Sequence, residues 1–187
     1  MRTLLERYVE AKDFNRPDVA TRLFRRDVVL TYSIATDAIA FPARTSGFDA
    51  VVRVLIADFA TRYTRCRTYY IEDLLREDGE VLHVPWLVVM REDEARALRI
   101  GRGWYRWTFA SEEDQRRVCA LHIHIERMDP MPDREAGLLS RIQAVLPYPW
   151  LRSATLYDAM QRLSRDPGFG FIDAFGVAVR LPPPAQS

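Results

Sequence analysis

The sequence predicts an α+β domain in which helices cover one face of a curved antiparallel sheet, followed by a C-terminal helical extension. Three observations predict it. Apolar side chains recur at helical spacing over roughly the first third of the chain, the period drops to two from Cys66 to about residue 130, and helical spacing returns after Pro130. A chain of 187 residues suits one hydrophobic core with an appendage. Residues 1–130 are therefore expected to form the domain, and residues 131–187 an extension that packs on it or on a dimer partner.

Residues 3–14 place Leu4, Leu5, Tyr8 and Val9 on one stripe of an amphipathic helix. Asn15, Arg16 and Pro17 form a turn. The φ of Pro17 suits the opening of a short second helix, whose stripe is Val19, Ala20, Leu23 and Phe24. DVVLTYS reads as a strand. Past an irregular segment through Phe41 and Pro42, Ser46 and Asp49 have the spacing of a capping box ahead of the helix GFDAVVRVLIADFATRY. Four strand candidates follow: CRTYYIEDLL, EVLHVPWLVVM, RALRIGRGWYRWTFA and RVCALHIHIERM, all rich in β-branched and aromatic residues. Asp78 and Gly79 both accept the positive φ of a two-residue hairpin loop, and EDEA and SEEDQR supply the next two reversals. Beyond Pro130, Leu138, Leu139, Ile142 and Leu146 mark a helix over residues 133–146. The PYP that follows breaks it, and SATLYDAMQRLSRD starts another behind Ser153. The closing RLPPPAQS is expected to be a loose tail.

The 27 basic and 26 acidic side chains nearly cancel, which leaves no field to gather nucleic acid or anionic lipid, so neither is an expected partner. Cys66 and Cys119 form no CxxC pair and read as buried thiols of a reducing compartment. The N-terminal MRTLLERYVEAKD gains charges too early for a secretory segment, and no apolar run approaches the roughly 18 residues of a membrane span. A cytoplasmic protein is the expectation. IGRGWYRW holds Gly101 and Gly103 but lacks the Lys-Ser/Thr ending and the strand-to-helix setting of a phosphate loop, so the glycines are expected to permit a bulge or bend, and no cofactor is expected.

The helices-then-meander order, with LLERYVEAKDFNRPDVATRLFRRDVVLTYS at its head, resembles the nuclear transport factor 2-like superfamily, which includes ketosteroid isomerase and SnoaL-like polyketide cyclases. The likeness covers about residues 3–130. It implies a cone-shaped sheet whose concave side, closed by the helices, encloses a pocket. It also places Tyr8 where ketosteroid isomerase has its oxyanion-binding tyrosine, and Tyr105 near that enzyme's second oxyanion donor. Where the isomerase has its general-base aspartate, this chain has Tyr32. A phenol of pKa about 10 is a poor base at neutral pH, so steroid isomerisation is disfavoured.

Strand alternation assigns the faces. Leu82, Val84, Trp86, Val88 and Met90 are expected on the concave side, with Cys119, Leu121, Ile123 and Ile125 on the last strand; on the strand between, which divides less cleanly, the family resemblance implies Tyr105, Trp107 and Phe109 inward and Trp104, Arg106 and Thr108 outward. Outward too go His83, Ala120, His122, His124 and Glu126. His83, Trp104 and His124 become approximate cross-strand neighbours. The candidate ligand-binding residues are Tyr8, Tyr32, Trp86, Tyr105, Trp107 and Leu121, the aromatic members of which also suit a plain core. Candidate catalytic groups are Tyr8, Tyr32, Tyr105 and Asp58, the last near the pocket mouth or simply solvated. His83, Trp104, Arg106, His122 and His124 form a strip too aromatic to be left in water, expected to be covered by a second subunit or by the extension. A metal site of His122, His124 and Glu126 is the alternative reading of that strip; none is expected.

The resemblance implies a small-molecule-binding protein of the SnoaL-like type, expected to be a binder or an acid–base catalyst (isomerase-, cyclase- or dehydratase-like) acting on a flat apolar ligand bearing one carbonyl or hydroxyl, without the isomerase base. The alternatives are a protein-interaction or dimerisation module, in which large side chains close the pocket, and a metal-dependent enzyme using His122 and His124. A homodimer is expected.

Overall fold

The computed structural model describes residues 1–112 and 115–183. Helix α1 (Arg2–Asp13) buries Leu4, Leu5, Tyr8 and Val9, as their spacing requires, and adds Lys12, which lies one turn beyond Tyr8 on the same face. Asn15 takes the left-handed conformation (φ 51°) that asparagine tolerates, and Pro17 opens α2 (Pro17–Ala20). Strand β1 (Phe24–Ile34) pairs with the short edge strand β2 (Arg44–Ser46). Ser46 caps nothing, contrary to expectation: it is held in β2 opposite Val29, and Gly47 (φ 88°) stands before the helix instead. That helix has three parts, α3 (Phe48–Val52), a π-helical stretch (Arg53–Ala57) and α4 (Asp58–Ala60).

The meander consists of β3 (Tyr63–Ile71), β4 (Arg76–Asp78), β5 (Val81–Glu92), β6 (Ala97–Glu112) and β7 (Gln115–Pro132), with every neighbouring pair antiparallel. CRTYYIEDLL is therefore not one strand. A 3-10 turn at Glu72–Leu74 divides it, and β3 and β4 pair in succession along β5. The first hairpin turns on Gly79 and Glu80 between the paired Asp78 and Val81, so Gly79 supplies the positive φ (56°) while Asp78 stays in its strand. The reversal expected at SEEDQR falls between the paired Glu112 and Gln115; Glu113 and Asp114 lie outside the described residues.

The strand order is β2-β1-β7-β6-β5-β3-β8, with β8 at Trp150–Leu151. Two pairings are parallel, β1 with β7 and β8 with β3, which makes the sheet mixed. Both parallel contacts come from segments outside the meander, where hairpin geometry does not set the direction.

Two apolar cores flank the sheet. On the inner face Leu82, Val84, Trp86, Tyr105, Trp107, Leu121 and Ile123 meet α1, α2 and the three-part helix. On the outer face Leu87, Val89, Leu98 and Ile100 meet the extension, namely α5 (Gly137–Val145), α6 (Ser153–Leu163) and a 3-10 segment (Gly170–Phe175). Helix α5 begins at Gly137 rather than at residue 133 because the Asp133 carboxylate accepts the N–H groups of Leu138 and Leu139, at 3.2 and 2.9 Å, as a cap does. Residues 176–183 continue past this core. Val179 is 6% exposed; of the expected loose tail Arg180 and Pro183 are exposed and Leu181 and Pro182 half-buried, and residues 184–187 lie outside the described residues. Among the described residues no helix is long and apolar enough to cross a membrane.

Candidate functional site

Between the inner face and the helices lies a hollow of about 40 Å³. Tyr8 and Lys12 enter it from α1, Tyr32 from β1, Trp86 from β5, Tyr105 from β6, and Ile123 and Ile125 from β7. The π-helical stretch brings two consecutive residues, Val54 and Leu55, to the opposite wall beside Phe41 and Phe59. Trp86 owes its place to Gly103, its partner across the β5–β6 pair. A Cβ on residue 103 would overlap the His124 carbonyl oxygen and stand 2.6 Å from the Trp86 ring, so glycine is what lets the indole lie over the strand. The β6–β7 register shifts at the same point, between Arg102 and Gly103, as the expected bulge requires.

Tyr8 is held edge-on by Tyr105 (5.7 Å between ring centres, 77°) and by Trp107 (4.9 Å, 79°). Its hydroxyl is buried and makes no hydrogen bond of sound geometry, and the same is true of the Trp86 indole N–H. Lys12 is the reverse case. Its ammonium donates to Asp13 Oδ1 (2.9 Å), Thr68 Oγ1 (3.0 Å) and Cys66 Sγ (3.2 Å), which uses all three of its protons. Asp13 is equally occupied, accepting also from the Thr68 N–H and hydroxyl and from the Tyr148 hydroxyl (2.6, 2.9 and 3.0 Å). This closed network ties the end of α1 to β3 and to the extension, and thereby fixes Tyr8 one turn earlier.

Burial sets the protonation of the lining. It holds the phenols of Tyr8, Tyr32 and Tyr105 above their ordinary value and pushes the Cys66 thiol up to about 12. For Lys12 burial is the largest influence and acts downward, but the adjoining Asp13 carboxylate, with Cys66 and Tyr8, more than offsets it and the ammonium is held above its ordinary value. No carboxylate or imidazole lines the hollow.

Of the expected ligand-binding residues, the structure brings Tyr8, Tyr32, Trp86 and Tyr105 together in the lining. Trp107 and Leu121 lie outside that lining: they are register partners one pleat further on, where Tyr8 packs edge-on against the indole, and both are buried. Cys119 is not part of the inward set either. A register shift between Thr108 and Phe109 turns Val118 inward, and the Cys119 thiol donates to the Thr108 carbonyl. Asp58 is exposed and lies in a separate groove outside the hollow, across a wall of Phe41, Val54 and Phe59. Sequence reasoning missed Lys12, although its place four residues after Tyr8 was a usable signal.

Solved structures share this arrangement of helices over a curved sheet. A proposed scytalone dehydratase from Novosphingobium aromaticivorans is 16% identical, covering 72% of this chain and 89% of its own with a TM-score of 0.55. LinA, a hexachlorocyclohexane dehydrochlorinase, is 11% identical over 68% of this chain and 84% of its own, with a TM-score of 0.57. A nuclear transport factor 2-like superfamily protein from Salmonella enterica is 11% identical over 72% of this chain and 91% of its own, with a TM-score of 0.53. The chain has the nuclear transport factor 2-like fold. In sequence, no family model and no curated protein matches it.

The outer face of this nuclear transport factor 2-like sheet carries His83, Trp104, Arg106, His122 and His124 together, as alternation predicts, although the register pairs His83 with Arg106 and Trp104 with His124. Trp104 lies against the rings of His124 (5.1 Å, 22°), His122 (5.2 Å, 37°) and His83 (6.1 Å, 54°). Hydroxyls of β1 fix the two imidazoles of β7: Thr31 Oγ1 and Ser33 Oγ bond the two nitrogens of His122 (2.8 and 2.9 Å), and Ser33 Oγ also bonds His124 Nδ1 (2.8 Å). Glu126, the third candidate metal ligand, is paired instead with Arg102 at 2.7 Å.

Proposed function

We propose that the protein binds a small neutral molecule in the inner hollow, holding one acceptor atom with the Tyr8 hydroxyl and the Trp86 indole N–H. One observation carries this reading: the buried Trp86 N–H has no partner and the buried Tyr8 hydroxyl none but the neighbouring Tyr105 phenol, in a lining whose described residues include no carboxylate and no imidazole. A buried donor left unpaired costs about 1–3 kcal/mol, which a carbonyl, ether or similar acceptor on a ligand recovers. The ligand is neutral because the hollow penalises charge: the same burial that raises every phenol in the lining would disfavour a bound carboxylate.

Binding takes precedence over turnover in this reading. Two of the neighbours bear the names of elimination enzymes, a dehydratase and a dehydrochlorinase. Elimination and isomerisation call for a base, and the titratable groups among the described lining residues are phenols and the Lys12 ammonium, all held above their ordinary values and so protonated at neutral pH. The free space, about 40 Å³, takes a few water-sized groups. A ring-sized ligand therefore enters by displacing the wall of Phe41, Val54 and Phe59, where Phe41 is stacked on Tyr32 at 4.6 Å.

Three matched rings test the proposal: cyclohexanone, methylcyclohexane and cyclohexanecarboxylate, titrated by nuclear magnetic resonance. The ketone should bind most tightly and move the Trp86 indole signal, and Tyr8→Phe should weaken it roughly three- to tenfold, the worth of one neutral hydrogen bond. Equal binding of all three rings, or a ketone indifferent to Tyr8→Phe, refutes it.

A further inference from the structure

We infer that the outer-face groove beside Trp104 is a docking site for a polyproline-II segment, and that its occupant is this chain's own proline run beginning at Pro182. The groove, about 470 Å³, lies between Val81, His83, Trp104 and Arg106 of the sheet and Pro182 and Pro183 of the tail. Its floor is aromatic and fixed. Trp104 packs on both imidazoles of β7, and those imidazoles are held by Thr31 and Ser33. Aromatic grooves of this kind take proline rings, because a polyproline-II helix is ordered before it binds and exposes its rings to stacking.

The approach to the groove is anchored as well. Arg102 Nη1 donates to the carbonyls of Ala174 (2.6 Å) and Val177 (3.1 Å), and Val179 is 6% exposed. The chain therefore reaches Leu181 and Pro182, both half-buried, with its direction already set and with little further entropy to lose. Prolines have no N–H to offer a strand, so ring packing rather than sheet extension is the interaction open to this run. Pro184 continues the run in the sequence.

The test uses the full-length protein with Pro182→Gly, Pro183→Gly and Pro184→Gly together. Its Trp104 indole resonance should move from the wild-type position, and the peptide Leu-Pro-Pro-Pro-Ala-Gln-Ser should return it in a saturable titration. The wild-type chain should need at least about tenfold more peptide for any response, since its own run competes at the high effective concentration of a tethered segment. Adding Trp104→Ala to the triple variant should abolish the peptide's effect on the His83 signal. An unmoved Trp104 signal in the triple variant overturns the inference, and so does an equal peptide response in both chains. A wild-type Trp104 signal that shifts on dilution overturns it too, by identifying a second copy of the chain as the occupant.

Discussion

On the inner face of β5–β7 the aromatic side chains are buried, yet the N–H groups of Trp86 and Trp107 have no partner, and the Tyr8 hydroxyl of α1 above them has none of sound geometry. On the outer face of the same strands the rings of Trp104, His122 and His124 are only half-buried, yet hydroxyls of β1 satisfy both nitrogens of His122 and one of His124. The imidazoles of β7 are thus largely paired although half-buried, while on the same outer face Nδ1 of the buried His83 has no partner. Burial alone does not distinguish the two faces; the proposed binding site rests instead on unsatisfied donors in an apolar hollow, because most buried polar groups are paired. The outer face, with the imidazole edges of β7 tied down, offers mainly ring surfaces.

The contrast can be broken first at Asp13, the buried counter-charge that lets Lys12 stand at the edge of the hollow. Asp13→Ala leaves an unpaired buried ammonium and should cost about 3–5 kcal/mol in chemical denaturation. A loss below about 1 kcal/mol would mean that the network is not what anchors α1. Next in size is Gly103→Ala, expected to destabilise by about 1–3 kcal/mol because the added methyl meets backbone as well as the Trp86 ring. Its Trp86 signal should shift while Trp104 stays in place; the reverse would put the indole on the wrong face.

A smaller effect separates the faces by pH. Burial lowers the pKa of His83, His122 and His124 below the ordinary 6.5, while the inner face has only raised phenols and a raised ammonium. These imidazoles are neutral in the folded protein, and the unfolded chain takes up protons first as the pH falls. The stabilisation is whole above pH 6.5 and declines below it toward the depressed folded values. Thermal melts should therefore show stability falling from pH 7 to pH 5, with a shallower slope in His122→Gln/His124→Gln and an unchanged slope in Tyr8→Phe. Smallest is the stability of Tyr8→Phe itself. Removing an orphaned hydroxyl should change it by less than about 0.5 kcal/mol or raise it, and a loss of 2 kcal/mol or more would reveal a hydrogen bond.

The faces of β5, β6 and β7 were legible in the sequence because Leu82, Val84, Trp86, Val88 and Met90 keep a strict period of two, and that period survives in a paired strand. Cys119 was not, since a bulge shifts register without leaving a mark in composition. Lys12 escaped for a different reason. A lysine is ordinarily a surface residue, and its burial depends on Asp13, Cys66 and Thr68, two of which are more than fifty positions away. Ser46 looked like a cap until the edge pairing with β1 claimed it, and the parallel union of β1 with β7 rests on contacts that no local pattern encodes. The same holds for the hollow. Four of its aromatic residues follow from alternation and helix spacing, but the place where the lining ends, short of Trp107 and Leu121, is set by how Tyr8 packs.

The central claim is that a small neutral ligand is received in the hollow of the inner face rather than in the outer groove beside Trp104. Titrating the full-length, nitrogen-labelled protein with cyclohexanone while following the indole resonances of Trp86 and Trp104 tests it most directly. A saturable shift of Trp86 with Trp104 stationary is the result predicted, and a shift of Trp104 with Trp86 stationary would contradict it.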